Sequence, residues 1–184
     1  MTTTWKTSWL MGLTLAVTAL FSTPGQSATA AEINADVHAT MQKFQIKVRS
    51  GTDLANRAAG ILVFPSVVKA GFGIGGEYGE GALMVGGRPV AYYNTISASI
   101  GFQLGAQARS VIIMFMTHEA LDAFRRRQGW KIGVDGSVAL ITLGAGGSID
   151  TNTINKPVIG FILDNKGLMY NLTLEGSKIS RIDR

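Results

Sequence analysis

The sequence contains no cysteine, and it has only two histidines and four prolines in 184 residues. The absence of cysteine excludes disulfide bonds, zinc–thiolate sites, a thiol nucleophile and a lipid-modified N-terminal cysteine. His38 and His118 lie far apart, and neither stands in a metal-binding spacing such as HExxH. No serine lies in a GxSxG motif. We therefore expect no catalytic residue, metal or cofactor, and a carboxylate pair assembled from distant positions is the remaining route to catalysis.

Charge is also scarce, because only 16% of the residues are charged, but its balance is positive at +5. Lys6 is the only charged residue before Glu32, so the chain stays positive if its first residues are removed. A positive protein attracts anionic partners such as lipid head groups or acidic polymers. The only tight basic cluster is Arg125, Arg126 and Arg127, and the charge is otherwise too diffuse to indicate nucleic-acid binding.

The first 30 residues have the pattern of a secretory signal peptide. Lys6 precedes the apolar run from Trp9 to Phe21, and small residues follow up to Ala28 and Ala30. This pattern predicts cleavage before Ala31 and export, to the periplasm in a Gram-negative host. An uncleaved membrane anchor is the alternative, but the run is shorter than the roughly 20 residues that a spanning helix needs.

A helical period follows in residues 32–59. Ile33, Val37, Met41, Phe44 and Val48 recur every three or four residues and so share one stripe of a helix, with Lys43 and Lys47 off it. The stripe has two interpretations: it packs on the core of the domain, or it enters a membrane surface while the lysines meet anionic head groups. Periodicity does not separate the two. Ser50–Asp53 then breaks the helix and starts a short second one.

From residue 61 onward the period changes to two, which predicts strands. Pro65 interrupts the first apolar run, "GILVFPSVV", and favours an edge strand or a bend. The following stretch contains GxGxxG at Gly71, Gly73 and Gly76, but no helix period follows it, so a nucleotide-binding loop is not indicated. Gly79 and Gly81 continue a nearly bare strand face that allows close approach of another backbone, a side chain or a ligand.

One helix interrupts the strands. Thr117 is the expected N-cap, Leu121 and Phe124 are expected to face inward, and Arg125–Arg127 complement the negative helix end. The arginines have a second interpretation as an anionic-ligand patch. The pattern as a whole predicts a single α+β domain, with helices in residues 31–60 and a curved, mainly antiparallel, Gly-rich or barrel-like sheet with one internal helix in residues 61–184.

Three blocks of the sequence together resemble the SYLF domain family: "AAGILVFPSVVKAGFGIGGEYGEGAL", "GFQLGAQARSVIIMFMTHEALDAF" and "WKIGVDGSVAL". The resemblance covers roughly residues 54–182. Eukaryotic members bind phosphoinositides and, in yeast, actin. For this chain the resemblance implies a non-catalytic module that binds anionic lipid. The region corresponding to the membrane-contacting helix of the relatives contains Met41, Phe44, Lys43, Lys47 and Arg49.

The sequence therefore supports two functions. The first is an exported lipid- or membrane-binding module that contacts anionic lipid surfaces. The second is a structural or protein-interaction component of the cell envelope, in which the apolar helix stripe is core or a subunit interface, with a protein partner or a homo-oligomer.

Overall fold

The computed structural model describes residues 28–101, 107–141, 154–164 and 174–184. Nearly all of the predicted signal peptide and part of the alternating strand after Gly101 lie outside these residues. Three helices are described: α1 (Ala30–Lys47), α2 (Gly51–Arg57) and α3 (His118–Arg125). The strands are β1 (Gly60–Val85), β2 (Arg88–Gly101), β3 (Gln107–Phe115), β4 (Gly129–Lys131), β5 (Ala139–Ile141), β6 (Val158–Asp164) and β7 (Lys178–Ile182).

The strands form one curled sheet in the order β4-β7-β2-β1-β3-β6-β5. All neighbouring pairs are antiparallel except β5 and β6, which are parallel. Helices α1 and α2 precede the sheet in the chain, and α3 follows β3. The predicted α+β fold, with a curved sheet, N-terminal helices and one internal helix, is therefore confirmed.

The sheet has a hydrophobic cluster on each face. Because side chains alternate along a strand, Ile61 and Val63 of β1 contribute to the cluster beneath α1, while Leu62 and Phe64 contribute to the cluster beneath α3. On the α3 face, the ring of Phe124 packs on three other aromatic rings, with centroid distances of 4.8 to 5.5 Å. Helices α1 and α3 therefore lie on opposite faces of the sheet.

Strand β1 stands between β2 and β3 in the strand order, but its two halves pair with different strands: residues 60–69 pair with β3, and residues 73–85 pair with β2. Its pairing register with β3 shifts between Phe64 and Val67, so Pro65 sits at a bulge. The Ser110 hydroxyl donates a hydrogen bond of 2.7 Å to the Pro65 carbonyl. The register shift agrees with the expected bend at Pro65. The expected edge position is not contradicted, because the residues around Pro65 pair with β3 alone. A bulge tolerates the missing N–H donor of proline, which explains how proline stands within this strand.

The glycines of β1 allow two stretches of the same strand to approach each other. A Cβ atom added to Gly79 would lie 2.8 Å from the Ser66 carbonyl oxygen, and one added to Gly81 would overlap with the Val63 carbonyl oxygen. Real Cβ atoms do not come this close to backbone atoms. At these two positions the bare strand face therefore serves close backbone approach, one of the interpretations drawn from the sequence.

Helix α1 begins with a capping box. The Thr29 hydroxyl accepts a hydrogen bond from the Glu32 N–H, and the Glu32 carboxylate accepts one of 2.7 Å from the Thr29 N–H. The Thr29 N–H and, to a lesser extent, the Thr29 hydroxyl donate hydrogen bonds to the Glu32 carboxylate and so lower its pKa. Cleavage before Ala31, as the sequence predicts, would remove Thr29 and with it this cap.

We expect Thr29→Ala to lower the free energy of unfolding by about 1 kcal/mol, because an N-cap hydroxyl is lost. Urea unfolding of the chain from Ala28 to Arg184 measures the change. The control is Thr52→Ala, since Thr52 is an exposed residue within α2. Equal unfolding midpoints for the two variants would show that the box adds nothing to the stability of α1.

Candidate functional site: the exposed end of helix α1

The buried side of α1 agrees closely with the apolar stripe found in the sequence. Ile33, Val37 and Phe44 are buried in this helix, and Val48 is buried at its C-cap. The Phe44 ring packs edge-on against Phe161 of β6, with centroids 4.7 Å apart. In this conformation α1 is docked on the sheet, as the core-packing interpretation of the stripe requires.

The two apolar residues expected to contact lipid therefore lie in different surroundings. Phe44 is fully buried, so contact of its ring with lipid would need α1 to leave the sheet. Met41 is half-buried and lines an open cleft of about 390 Å³ together with His38, Ile61 and Met84. Thr40, the residue before Met41, is buried instead. Contact of Phe44 and Met41 with lipid stays a prediction.

The three cations expected at this site lie together at the C-terminal end of α1. Lys43, Lys47 and Arg49 are all exposed. Lys43 also lines a polar cleft of about 260 Å³, whose other wall contains Ser66 and Ser110. A lysine in the last helical turn also complements the partial negative charge of the helix end. We call Lys43, Ile46, Lys47 and Arg49 the helix-end cluster.

Ile46 is the member of this cluster that the sequence interpretation missed. Its side chain is 84% exposed between the two lysines, whereas the neighbouring stripe residues are buried. The sequence did contain a signal for it. Ile46 lies off the apolar stripe, on a helix face that is otherwise polar, so it does not belong to the buried face. The cluster thus combines positive charge with exposed apolar surface, the combination that suits a membrane interface.

The arginine triplet does not join the helix-end cluster. Arg125, Arg126 and Arg127 are exposed at the end of α3, on the opposite face of the sheet. The Arg127 guanidinium forms an ion pair of 2.7 Å with Asp135. The predicted cap of this helix is confirmed, because the Thr117 hydroxyl accepts a hydrogen bond from the Ala120 N–H. A role of the triplet in anion binding stays a prediction.

A buried ion pair lies inside the sheet, and the sequence interpretation also missed it. The Arg109 guanidinium and the Glu77 carboxylate are 2.5 Å apart, with only 8% and 9% of these side chains exposed. The Ser97 hydroxyl donates a further hydrogen bond to Glu77. Burying two charges costs desolvation energy that their attraction must offset, so each depends on the other. The signal in the sequence was an arginine two residues before the apolar run Val111–Phe115.

The described residues contain neither a metal-binding cluster nor a helix suited to membrane spanning. Within them, no three His, Asp or Glu side chains are placed to hold a metal ion. Among the described helices, none has both the length and the apolar character needed to cross a bilayer.

Residues 96–183 match the family model of Ysc84, described as "Las17-binding protein actin regulator". The matched stretch is just under half of the chain, and it agrees with the resemblance to SYLF domains seen in the sequence. The match begins within β2 and runs through β7, so it covers all of α3 and the strands from β3 to β7 but not β1. SYLF domains are binding domains, which agrees at a coarse level with a membrane or protein partner. No curated protein matches the chain.

Proposed function

We propose that this SYLF-like domain is an exported, non-catalytic module that binds anionic lipid surfaces through the helix-end cluster. The observation that carries the proposal is the exposure of Lys43, Lys47 and Arg49 around Ile46. Each basic residue close to an anionic bilayer contributes about 1 kcal/mol of attraction. An exposed isoleucine among the cations adds apolar area that can enter the boundary between head groups and acyl chains.

The docked state of α1 refines which residues of the helix take part. Because Phe44 holds the helix on Phe161, the proposed contact uses the solvent side of α1 and leaves the buried stripe in place. Binding then needs no unfolding of the helix from the core. Export to the periplasm is part of the proposal and rests on the leader pattern in residues 1–30. Cell fractionation together with N-terminal sequencing of the exported chain tests it.

We expect the triple variant Lys43→Glu, Lys47→Glu and Arg49→Glu to bind anionic vesicles at least about 100-fold more weakly than the wild type, because three attractions of about 1 kcal/mol are lost and repulsion replaces them. Co-sedimentation with phosphatidylglycerol-containing vesicles measures the partition coefficient. Binding of the wild type should weaken as salt increases, since salt screens surface charges.

The matched control reverses Arg125, Arg126 and Arg127 instead, which changes the net charge equally on the opposite face. This control separates the helix-end cluster from the arginine patch and from net charge. If both triple variants lose binding equally, the helix-end cluster is not the site. If the wild type binds none of the vesicles, a protein partner in the cell envelope becomes the better hypothesis. The description of the matched family, an actin regulator that binds another protein, favours the same hypothesis.

A further inference from the structure

Four exposed side chains form a row across four neighbouring strands. Lys131 of β4 pairs with Lys178 of β7, Lys178 pairs with Ile96 of β2, and Ile96 pairs with Tyr78 of β1. Residues that pair directly in neighbouring strands place their side chains on the same face of the sheet. We call Lys131, Lys178, Ile96 and Tyr78 the sheet row. Its members come from distant parts of the sequence, and only the pairing register brings them together.

The sheet row lies on the face of the sheet that carries α1. The sequence neighbours Trp130 and Ile179 are buried in the cluster on the α3 face, so Lys131 and Lys178 point the other way. Helix α1 does not cover this part of the face. Both lysines are exposed, and Ile96 and Tyr78 are 51% and 48% exposed. The sheet row and helix α1 are therefore on the same face of the sheet.

The two lysines of the sheet row stand directly opposite each other. Two like charges placed directly opposite in a sheet destabilise it. Within the described parts of the chain, no carboxylate forms an ion pair with the side chain of Lys131 or Lys178. The Asp135 carboxylate accepts a hydrogen bond of 2.7 Å from the Lys131 backbone N–H, but its ion pair is with Arg127. Beside the row, Glu80 accepts a hydrogen bond of 2.6 Å from the Tyr78 hydroxyl. Glu80 is itself paired with Arg184, so its charge is already compensated.

The order of the row separates charge from apolar surface. The two lysines stand at one end, and the isoleucine and the tyrosine stand side by side at the other. Lysines near an anionic bilayer meet lipid head groups, while a tyrosine places its ring at the membrane–water interface. An isoleucine next to that ring adds apolar area at the same depth. An anionic bilayer therefore provides negative charge for the two lysines and an apolar environment for the isoleucine and the tyrosine ring.

We propose that the sheet row is a second contact surface for anionic lipid bilayers, on the face of the sheet that also carries α1. This inference rests on the proposed function, but it assigns membrane contact to the sheet as well as to α1. It makes the orientation of the bound domain specific: the α1 side faces the bilayer, and the α3 side faces away from it.

The absence of cysteine allows the orientation to be measured with single labels. The variants Ile96→Cys, Ile46→Cys and Ala123→Cys each place one environment-sensitive fluorophore, in the sheet row, in the helix-end cluster and on the exposed surface of α3. The chain from Ala28 to Arg184 contains every described element and is the form to label. With phosphatidylglycerol-containing vesicles we expect a blue shift from the labels at 96 and 46 and none from the label at 123. Neutral phosphatidylcholine vesicles should shift none of them.

A charge variant tests the row without a label. We expect Lys131→Gln with Lys178→Gln to weaken partition into the anionic vesicles about 30-fold, the equivalent of two basic contacts. The matched control, Arg125→Gln with Arg126→Gln, removes the same charge from the other face and should weaken partition less than about threefold. The lysine variant should melt no lower than the wild type, because it removes a like-charge pair.

The outcomes separate this inference from the proposed function. The sheet row is overturned if the fluorescence of the label at 46 shifts, that of the label at 96 does not, and the two charge variants bind equally. The proposed function would then remain in place. A shift at 96 with a silent label at 46 supports the sheet row and removes the helix-end cluster as the site. A wild-type chain that binds none of the vesicles overturns both.

Discussion

Gly81→Ala is expected to lower the free energy of unfolding by about 3 kcal/mol, at the upper end of the usual cost of overpacking a core. The added Cβ would overlap with the Val63 carbonyl oxygen and would also lie 2.8 Å from the Phe64 ring. A backbone carbonyl inside a paired strand cannot move aside as the end of a flexible side chain can. The curl of β1 would have to open, and this would disturb the pairing of Gly81 with β2 and of Val63 with β3. Urea unfolding followed by circular dichroism measures the loss.

The same strand provides the matched control for this prediction. Gly76 is exposed, and a Cβ there would meet only the Ser97 carbonyl oxygen at an ordinary 3.7 Å. Gly76→Ala should therefore change the stability by no more than about 0.5 kcal/mol. Similar unfolding midpoints for the two alanine variants would contradict the close approach of the two stretches of β1.

Phe44→Ala should be the most destabilising change in the helices, at about 3 to 5 kcal/mol, which is the usual cost of truncating a buried phenylalanine. The ring is fully buried and forms the edge-on contact with Phe161 that holds α1 on the sheet. Its loss leaves a cavity beneath the centre of the helix attachment. Denaturant unfolding monitored by far-ultraviolet circular dichroism reports the change.

Ile46→Ala is the control on the same helix, because Ile46 is exposed and touches no core cluster. It should leave the stability within about 0.5 kcal/mol of the wild type. The two variants also separate folding from function, since Ile46→Ala is expected to weaken vesicle binding without altering unfolding. If Phe44→Ala unfolds at the wild-type midpoint, α1 is not held on the sheet by this ring.

The helices were predictable because their signals are local. The spacing of Ile33, Val37 and Phe44 gave the buried face of α1, and Thr117 gave the start of α3. Each signal depends on residues only a few positions apart, which contact one another in any helix. What periodicity could not decide was the partner of the apolar face of α1, since core and membrane demand the same spacing. The contact between Phe44 and Phe161 answers that question for the docked state.

Pro65 shows how far a local rule reaches. Proline lacks the N–H donor of a ladder, and this favoured an edge or a bend for its strand. The structure has a bulge at Pro65, and the residues around it pair with β3 alone, so the strand needs no donor at that position. Which strand pairs with this stretch depends on distant residues, and the local rule could not identify it.

The candidate sites also differ in whether the sequence alone could reveal them. Lys43, Lys47 and Arg49 were found from the sequence because they follow one helix and lie off its apolar stripe. The pairing of Glu77 with Arg109, 32 residues apart, was not visible, and neither was the sheet row. A pair of charges or a row across four strands depends on register, and a shift of one residue would turn each side chain to the other face.

By itself, the sequence determined the absence of thiol chemistry, the amphipathic helix with cations at its end, the change from helical to alternating period, and the resemblance to SYLF domains. These follow from composition and from spacings within single elements. Tertiary structure alone decided that α1 is docked, that β1 folds closely on itself at Gly79 and Gly81, and that two lysines stand beside an isoleucine and a tyrosine on one sheet face. The physical reason is that non-local pairing sets which residues meet, and no short stretch of sequence carries that register.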